Sequence, residues 1–293
     1  MSDVLRRFHF IDSPVRGELC QLDATCREVF GRHAYPDQVR DLLGQALAAT
    51  ALMASSLKFE GSLVLQVQGE GAVSLLMAEA DHLGKLRGIA QYDEARFAPD
   101  TPALTWQALT GSGNLILTID PEAGERYQGI VPLEGERLSD ALDHYFAQSE
   151  QLPTRFHLAT TETRAGGLML QVLPGHAEGG DDDIWARVNQ LAVTASPEEL
   201  CDLPDETLLF RLYHEEQVEV FEPQALRFHC HCSRERGENA LRAIDPAELR
   251  QLVDEQGGHL DVDCQFCRAH YRFDRVDIEQ LLHHAVEGSP RLQ

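Results

Sequence analysis

Two close cysteine pairs, Cys230-His231-Cys232 and Cys264-Gln265-Phe266-Cys267, constrain this chain more than any other feature. They stand 31 residues apart near the C-terminal end. A C-x-x-C turn can set two sulfurs on one ion, and a C-x-C pair can do the same from an extended or tight loop. Four thiolates at about 2.3 Å then complete the closed coordination of a structural zinc site. The region involved, residues 230–293, is too small for a generous core, and a structural zinc contributes on the order of 10–16 kcal/mol to such a module. The spacing therefore predicts one Zn2+ held in the reduced state by Cys230, Cys232, Cys264 and Cys267. A Cys3His set using His229 or His231 is the alternative. Cys20, Cys26 and Cys201 show no paired spacing and read as packed small hydrophobes.

The chain has 293 residues, 43% of them hydrophobic and 25% charged, which suits a globular protein of two domains or of one domain with an appendage. No apolar run is long enough to span a bilayer. The first ten residues lack the apolar core of an export signal, so the cytoplasm is the expected location, with cysteines reduced or metal-bound. A net charge of -23 repels nucleic acid and anionic membrane alike. The charge is densest over residues 179–229, which hold 12 acidic residues against 3 arginines.

Periodicity predicts an α+β fold: an N-terminal antiparallel-rich sheet packed with helices (1–178), an acidic helical linker (179–229) and a small zinc-binding α+β domain (230–293). Arg40 to Lys58 has apolar residues at helical spacing. Three strand patterns opened by glycine recur at Gly61–Gly69, Gly113–Asp120 and Gly166–Gly175, and they suggest one sheet built on a duplicated strand pair. Further strands are expected around Leu86–Ile89 and Tyr127–Val131, and a second helix over Leu138–Ser149. The Gly175–Asp183 cluster marks the domain boundary, with Asp181–Asp183 read as helix N-terminal charge. Beyond it, Asp183 is expected to cap a helix to Thr194. Ser196-Pro197-Glu198-Glu199 forms a capping box, and Asp205 opens a helix bearing Leu208, Leu209 and Leu212. Helices this short are marginal alone and must dock on something, so the linker is metastable. In the last segment, Asp245 opens a helix ended by Gly257-Gly258. Two short strands flank Cys264 and Cys267, and Asp274 caps a final helix.

No Walker loop, nucleophile elbow or dinucleotide fingerprint following a strand is present, and His283-His284 reads as a solvated helix face. The expectation is a protein that is not an enzyme. Two rival functions use the cysteines differently. A zinc-ribbon nucleic-acid-binding protein would need a basic face, for which only Arg234, Arg236 and Arg242 offer a local patch. A thiol-disulfide oxidoreductase would set Cys264 and Cys267 at a helix start beside a βαβ unit.

Along its whole length the chain resembles the redox-regulated holdase chaperone family, the thirty-three-kilodalton heat-shock protein of bacteria. The resemblance rests on Cys230-His231-Cys232-Ser233-Arg234-Glu235-Arg236, Cys264-Gln265-Phe266-Cys267 and Tyr271-Arg272-Phe273-Asp274. It rests also on Leu57-Lys58-Phe59-Glu60-Gly61, Tyr127-Gln128-Gly129-Ile130-Val131 and Glu150-Gln151-Leu152-Pro153-Thr154-Arg155. It implies an ATP-independent chaperone that binds unfolding client proteins after oxidation. In that scheme disulfides form between Cys230 and Cys232 and between Cys264 and Cys267, zinc is released, and the C-terminal domain and linker unfold. It also implies a homodimer in the oxidised, active state.

Overall fold

The computed structural model describes residues 3–56, 60–98, 101–174 and 183–287. The chain forms two compact units, residues 1–229 and 230–293. The first begins with β1 (Val4–Phe10), β2 (Val15–Leu22), α1 (Ala24–Phe30) and α2 (Asp37–Ser55). A meander follows: β3 (Gly61–Gly69), β4 (Val73–Asp81) and β5 (Lys85–Tyr92), then α3 (Trp106–Thr110), β6 (Gly113–Pro121) and β7 (Tyr127–Pro132). Next come α4 (Leu138–Tyr145), β8 (Thr154–Thr160) and β9 (Ala165–Val172). The unit closes with α5 (Ile184–Ala192), α6 (Pro197–Asp202), α7 (Asp205–Tyr213) and the short strands β10 (Val218–Val220), β11 (Gln224–Ala225) and β12 (Arg227–Phe228).

These strands build two six-stranded sheets instead of the single sheet expected. One runs β10-β1-β2-β9-β8, with β11 also on β1; the other runs β12-β5-β4-β3-β6-β7. The glycine-opened strands β3 and β6 are neighbours in the second sheet, whereas the third such strand, β9, pairs with β2 in the first. A strand pattern specifies a pleated, half-buried surface but not its partner, so the shared signature suggested one sheet where there are two.

The helix α2 packs against both sheets and is buried along most of its length. Its alanines, among them Ala46, Ala48, Ala49 and Ala51, let the two sheets close over it. It starts at Asp37, and its expected end at Lys58 lies outside the described residues. The first sheet is buried on both faces. Cys20 and Leu22 of β2 face the α2 core, while Val15 and Leu19 face a second core formed with α5, α6 and α7. Burial on both sides of β2 removes the alternation by which a strand is read, and periodicity predicts no strand there.

The helices α5–α7 dock on the outer face of the first sheet through Ile184, Val188, Leu200, Leu208, Leu209 and Leu212. The capping box is present: the Ser196 hydroxyl accepts from the Glu199 N–H, and the Glu199 carboxylate accepts from the Ser196 N–H at 2.9 Å. One cap differs from expectation. Asp183 stands at the N-cap of α5 without a side-chain capping bond. Asp205 opens α7 as expected, and its carboxylate accepts from Arg6 of β1 at 2.7 Å. The helix expected to run to Ser149 is α-helical to Tyr145 and then opens into a wider turn ending at Gln151, φ 54°. The Gly175–Asp182 stretch lies outside the described residues, and with it the expected boundary at 178/179.

The second unit holds α8 (Arg234–Leu241), α9 (Pro246–Glu255), the hairpin β13 (His259–Asp263) and β14 (His270–Asp274), and α10 (Arg275–Glu287). Asp245 caps α9 by accepting from Ala247 and Glu248 N–H groups, and Gly257 and Gly258 leave it at φ 78° and 95°. Asp274 accepts from the Asp277 N–H at 2.9 Å to start α10. The core of this unit is small: Leu241, Leu249, Val253, Leu260, Phe273 and three residues of α10.

Candidate metal centre

The hairpin presents one cysteine pair. Between β13 and β14 the chain turns back on itself, the Cys264 N–H donating to Ala269 O at 2.9 Å and the Arg268 N–H to Cys264 O at 2.8 Å. Arg268 takes φ 59° to close this turn. The other pair lies just before α8, whose N-cap Ser233 accepts from the Arg236 N–H at 3.2 Å. Arg234 ties α8 to the hairpin. Its guanidinium lies 4.4 Å from the Phe273 ring centre and donates to Arg272 O at 2.7 Å and to Asp277 at 2.6 Å.

All four sulfurs converge, each lying within 4.8 Å of the others. Cys230 and Cys264 approach to 3.6 Å, Cys232 and Cys267 to 3.2 Å. A disulfide needs about 2.05 Å, and all four are free thiols. A tetrahedron of Zn–S bonds of about 2.3 Å has edges of about 3.8 Å, so the sulfurs fit a single ion. His229 and His231 do not belong to this group. Each of the four cysteine residues is partly exposed.

The thiols differ in acidity. Burial raises Cys230 and Cys267, the latter to about 12. Burial raises Cys232 too, but hydrogen bonds from Tyr271 and the neighbouring thiols prevail and bring it down to about 7. The Tyr271 hydroxyl donates to Cys232 Sγ at 3.3 Å. Four thiolates at this spacing repel one another, and a dication is the group that lets them ionise together. The motif singles out Tyr271, but nothing in the spacing assigns it a contact with sulfur.

The other thiols lie in the first unit. Cys20 and Cys26 are fully buried and Cys201 is 2% exposed. Burial pushes all three up, Cys201 to about 12, so they stay protonated and behave as apolar filling. Neither rival arrangement is favoured. Cys264 and Cys267 occupy a hairpin turn, not a helix start, and Arg234 and Arg242 are paired with Glu238 and Asp277. No helix among the described residues is long and apolar enough to cross a membrane.

The model of the Hsp33 protein family matches residues 3–274. The chain belongs to the Hsp33 family. A 33 kDa chaperonin of Ectopseudomonas mendocina is 47% identical over 99% of this chain and 98% of its own length. That of Azotobacter vinelandii is 48% identical over 98% of this chain and 97% of its own. The crystal structure of the 33 kDa chaperonin from Thermotoga maritima shares the fold, with a TM-score of 0.80 at 22% identity over 97% of this chain and 99% of that one. The resemblance read from the motifs thus holds across the chain, and with it a chaperone bearing a four-cysteine cluster compatible with zinc and with redox chemistry.

Proposed function

We propose that this Hsp33 protein is a redox-regulated, ATP-independent holdase that binds unfolding proteins in the cytoplasm. The observation that carries the proposal is the convergence of the sulfurs of four free, partly exposed cysteines in a unit whose apolar core is small. Cys230, Cys232, Cys264 and Cys267 are assigned as ligands of one zinc ion. When bound, zinc keeps the four thiols ionised and joins the hairpin turn to the start of α8, supplying about 10–16 kcal/mol of folding free energy.

The activating step consumes those thiolates. In each pair two thiolates, one hydrogen peroxide and two protons yield one disulfide and two waters, the sulfurs losing two electrons and the peroxide gaining them. Cys264–Cys267 and Cys230–Cys232 are the assigned disulfides, and a sulfur so oxidised no longer serves as a thiolate ligand. The smaller C-x-C ring is strained and should be reduced first. The second unit then loses most of its stability, and α5–α7, each too short to persist alone, leave the first sheet. Their departure would uncover Phe8, Phe10, Val15, Leu19, Leu168 and Leu170, a surface suited to unfolding chains. The net charge of -23 opposes self-aggregation of that surface. The active form is assigned as a homodimer.

The test follows metal release and light scattering of a heat-denaturing client before and after peroxide at mild heat. Expected are release of one zinc per chain and suppression of aggregation by stoichiometric oxidised protein. Release without suppression overturns the reading, and catalytic insulin reduction would favour an oxidoreductase.

A further inference from the structure

Beyond the C-terminal end of α2, the first sheet has a charged recess unconnected with the thiols. On the sheet face that carries Leu5 and Cys20 toward α2, the next residues are Arg7 and His9 on β1 and Arg16 and Glu18 on β2. They are paired directly across the strands, Arg7 with Glu18 and His9 with Arg16. With Leu173 and Phe221 they surround a cavity of about 340 Å3.

Glu18 is 1% exposed. Its Oε2 is hydrogen-bonded by the Ser55 hydroxyl, but Oε1 has no hydrogen-bond partner, the nearest cation being Arg16 Nη1 at 3.8 Å. Arg16 is engaged elsewhere, donating through Nε and Nη2 to Gln171 Oε1 at 3.1 and 2.7 Å. Arg7 is exposed and forms no ion pair among the described residues. A buried carboxylate oxygen without a donor is costly, and a guanidinium offers a fork of donors to any carboxylate. The two strands thus hold a carboxylate and a guanidinium on adjacent positions, about 5 Å apart at Cβ, with neither satisfied by the other.

We propose that this recess binds a free α-amino acid, its ammonium donating to Glu18 Oε1, its carboxylate accepting from Arg7, and its side chain lying against Phe221 and Leu173. A simple cation would meet two arginines and a simple anion would meet Glu18; only a ligand with both charges close together answers both groups. Quaternary ammonium zwitterions lack the N–H that Glu18 requires. An apolar side chain suits the Phe221 ring, which lies tilted against His9 at 5.5 Å between centres and lines the cavity with Leu173.

The test is calorimetric titration of the full-length reduced protein with leucine and phenylalanine, alongside leucinamide, N-acetylleucine, glycine betaine and inorganic phosphate. Saturable binding of leucine or phenylalanine is expected. Leucinamide and N-acetylleucine, each lacking one charge, should bind at least about tenfold more weakly, and so should either amino acid to Arg7→Ala and Glu18→Gln. Arg7 is exposed, so Arg7→Ala decides the matter even if Glu18→Gln fails to fold. The proposal is overturned if neither amino acid binds at millimolar concentration. It is equally overturned if N-acetylleucine, betaine or phosphate binds as well, or if Arg7→Ala binds unchanged.

Discussion

Among individual residues, Tyr271 and Asp143 show how far a neighbour alters a group's chemistry. Tyr271 is the polar partner of Cys232, and outer partners of this kind typically change metal affinity by about 10–100-fold. Tyr271→Phe should therefore release metal faster to a competing chelator and leave the first unit unchanged, as followed by a colorimetric zinc indicator. Asp143 of α4 is pushed up to about 6 by burial, despite accepting from the Phe156 N–H at 2.9 Å and from Arg155. Its pKa is higher folded than unfolded, so its contribution is fully present below about 4 and is lost as pH rises through 6. Asp143→Asn mimics the protonated form. Its thermal midpoint relative to the native chain should rise between pH 5 and pH 8, and a flat or falling difference contradicts the assignment. The four cysteines were legible because their spacing is local. The thiolate partner was not, because Tyr271 reaches Cys232 only across the folded unit.

Helix α6 is held on the sheet by contacts that propensity alone does not reveal. Gly166 of β9 passes so close beneath it that an added Cβ would lie 2.5 Å from Leu200 O and 2.7 Å from its carbonyl carbon. Backbone cannot yield as a side-chain tip can, so Gly166→Ala should push α6 off the sheet. The expected result is early hydrogen exchange across α6 and α7 and client binding without oxidant; full protection of α6 in the variant would refute the docking argument. Arg6 with Asp205 and Arg164 with Asp202 hold the same helices at 2.7 and 2.6 Å. The short amphipathic helices and the Ser196 box were legible in the chain, since caps are decided by four neighbouring residues. Their docking face, and the lacing of β10 and β11 onto β1, depend on residues about 200 positions away.

For the molecule as a whole, the two units should respond differently to loss of metal. Strong chelation should unfold residues 230–287, seen as loss of dispersed amide signals from α8–α10 and the hairpin, while the core around α2 stays cooperative on heating. Persistence of the hairpin signals without metal would show that the small core suffices alone. The sequence by itself determined the α+β class, the acidic run of short helices, the small C-terminal unit and the four sulfurs that define the candidate centre. Each of these is written in local spacing, in caps or in composition. Only the tertiary structure decided that the glycine-opened strands divide between two sheets, that α2 lies between them, and that Glu18 and Arg7 face each other unpaired. Strand partners and buried charges are settled by which surfaces meet, and neither period nor propensity contains that information.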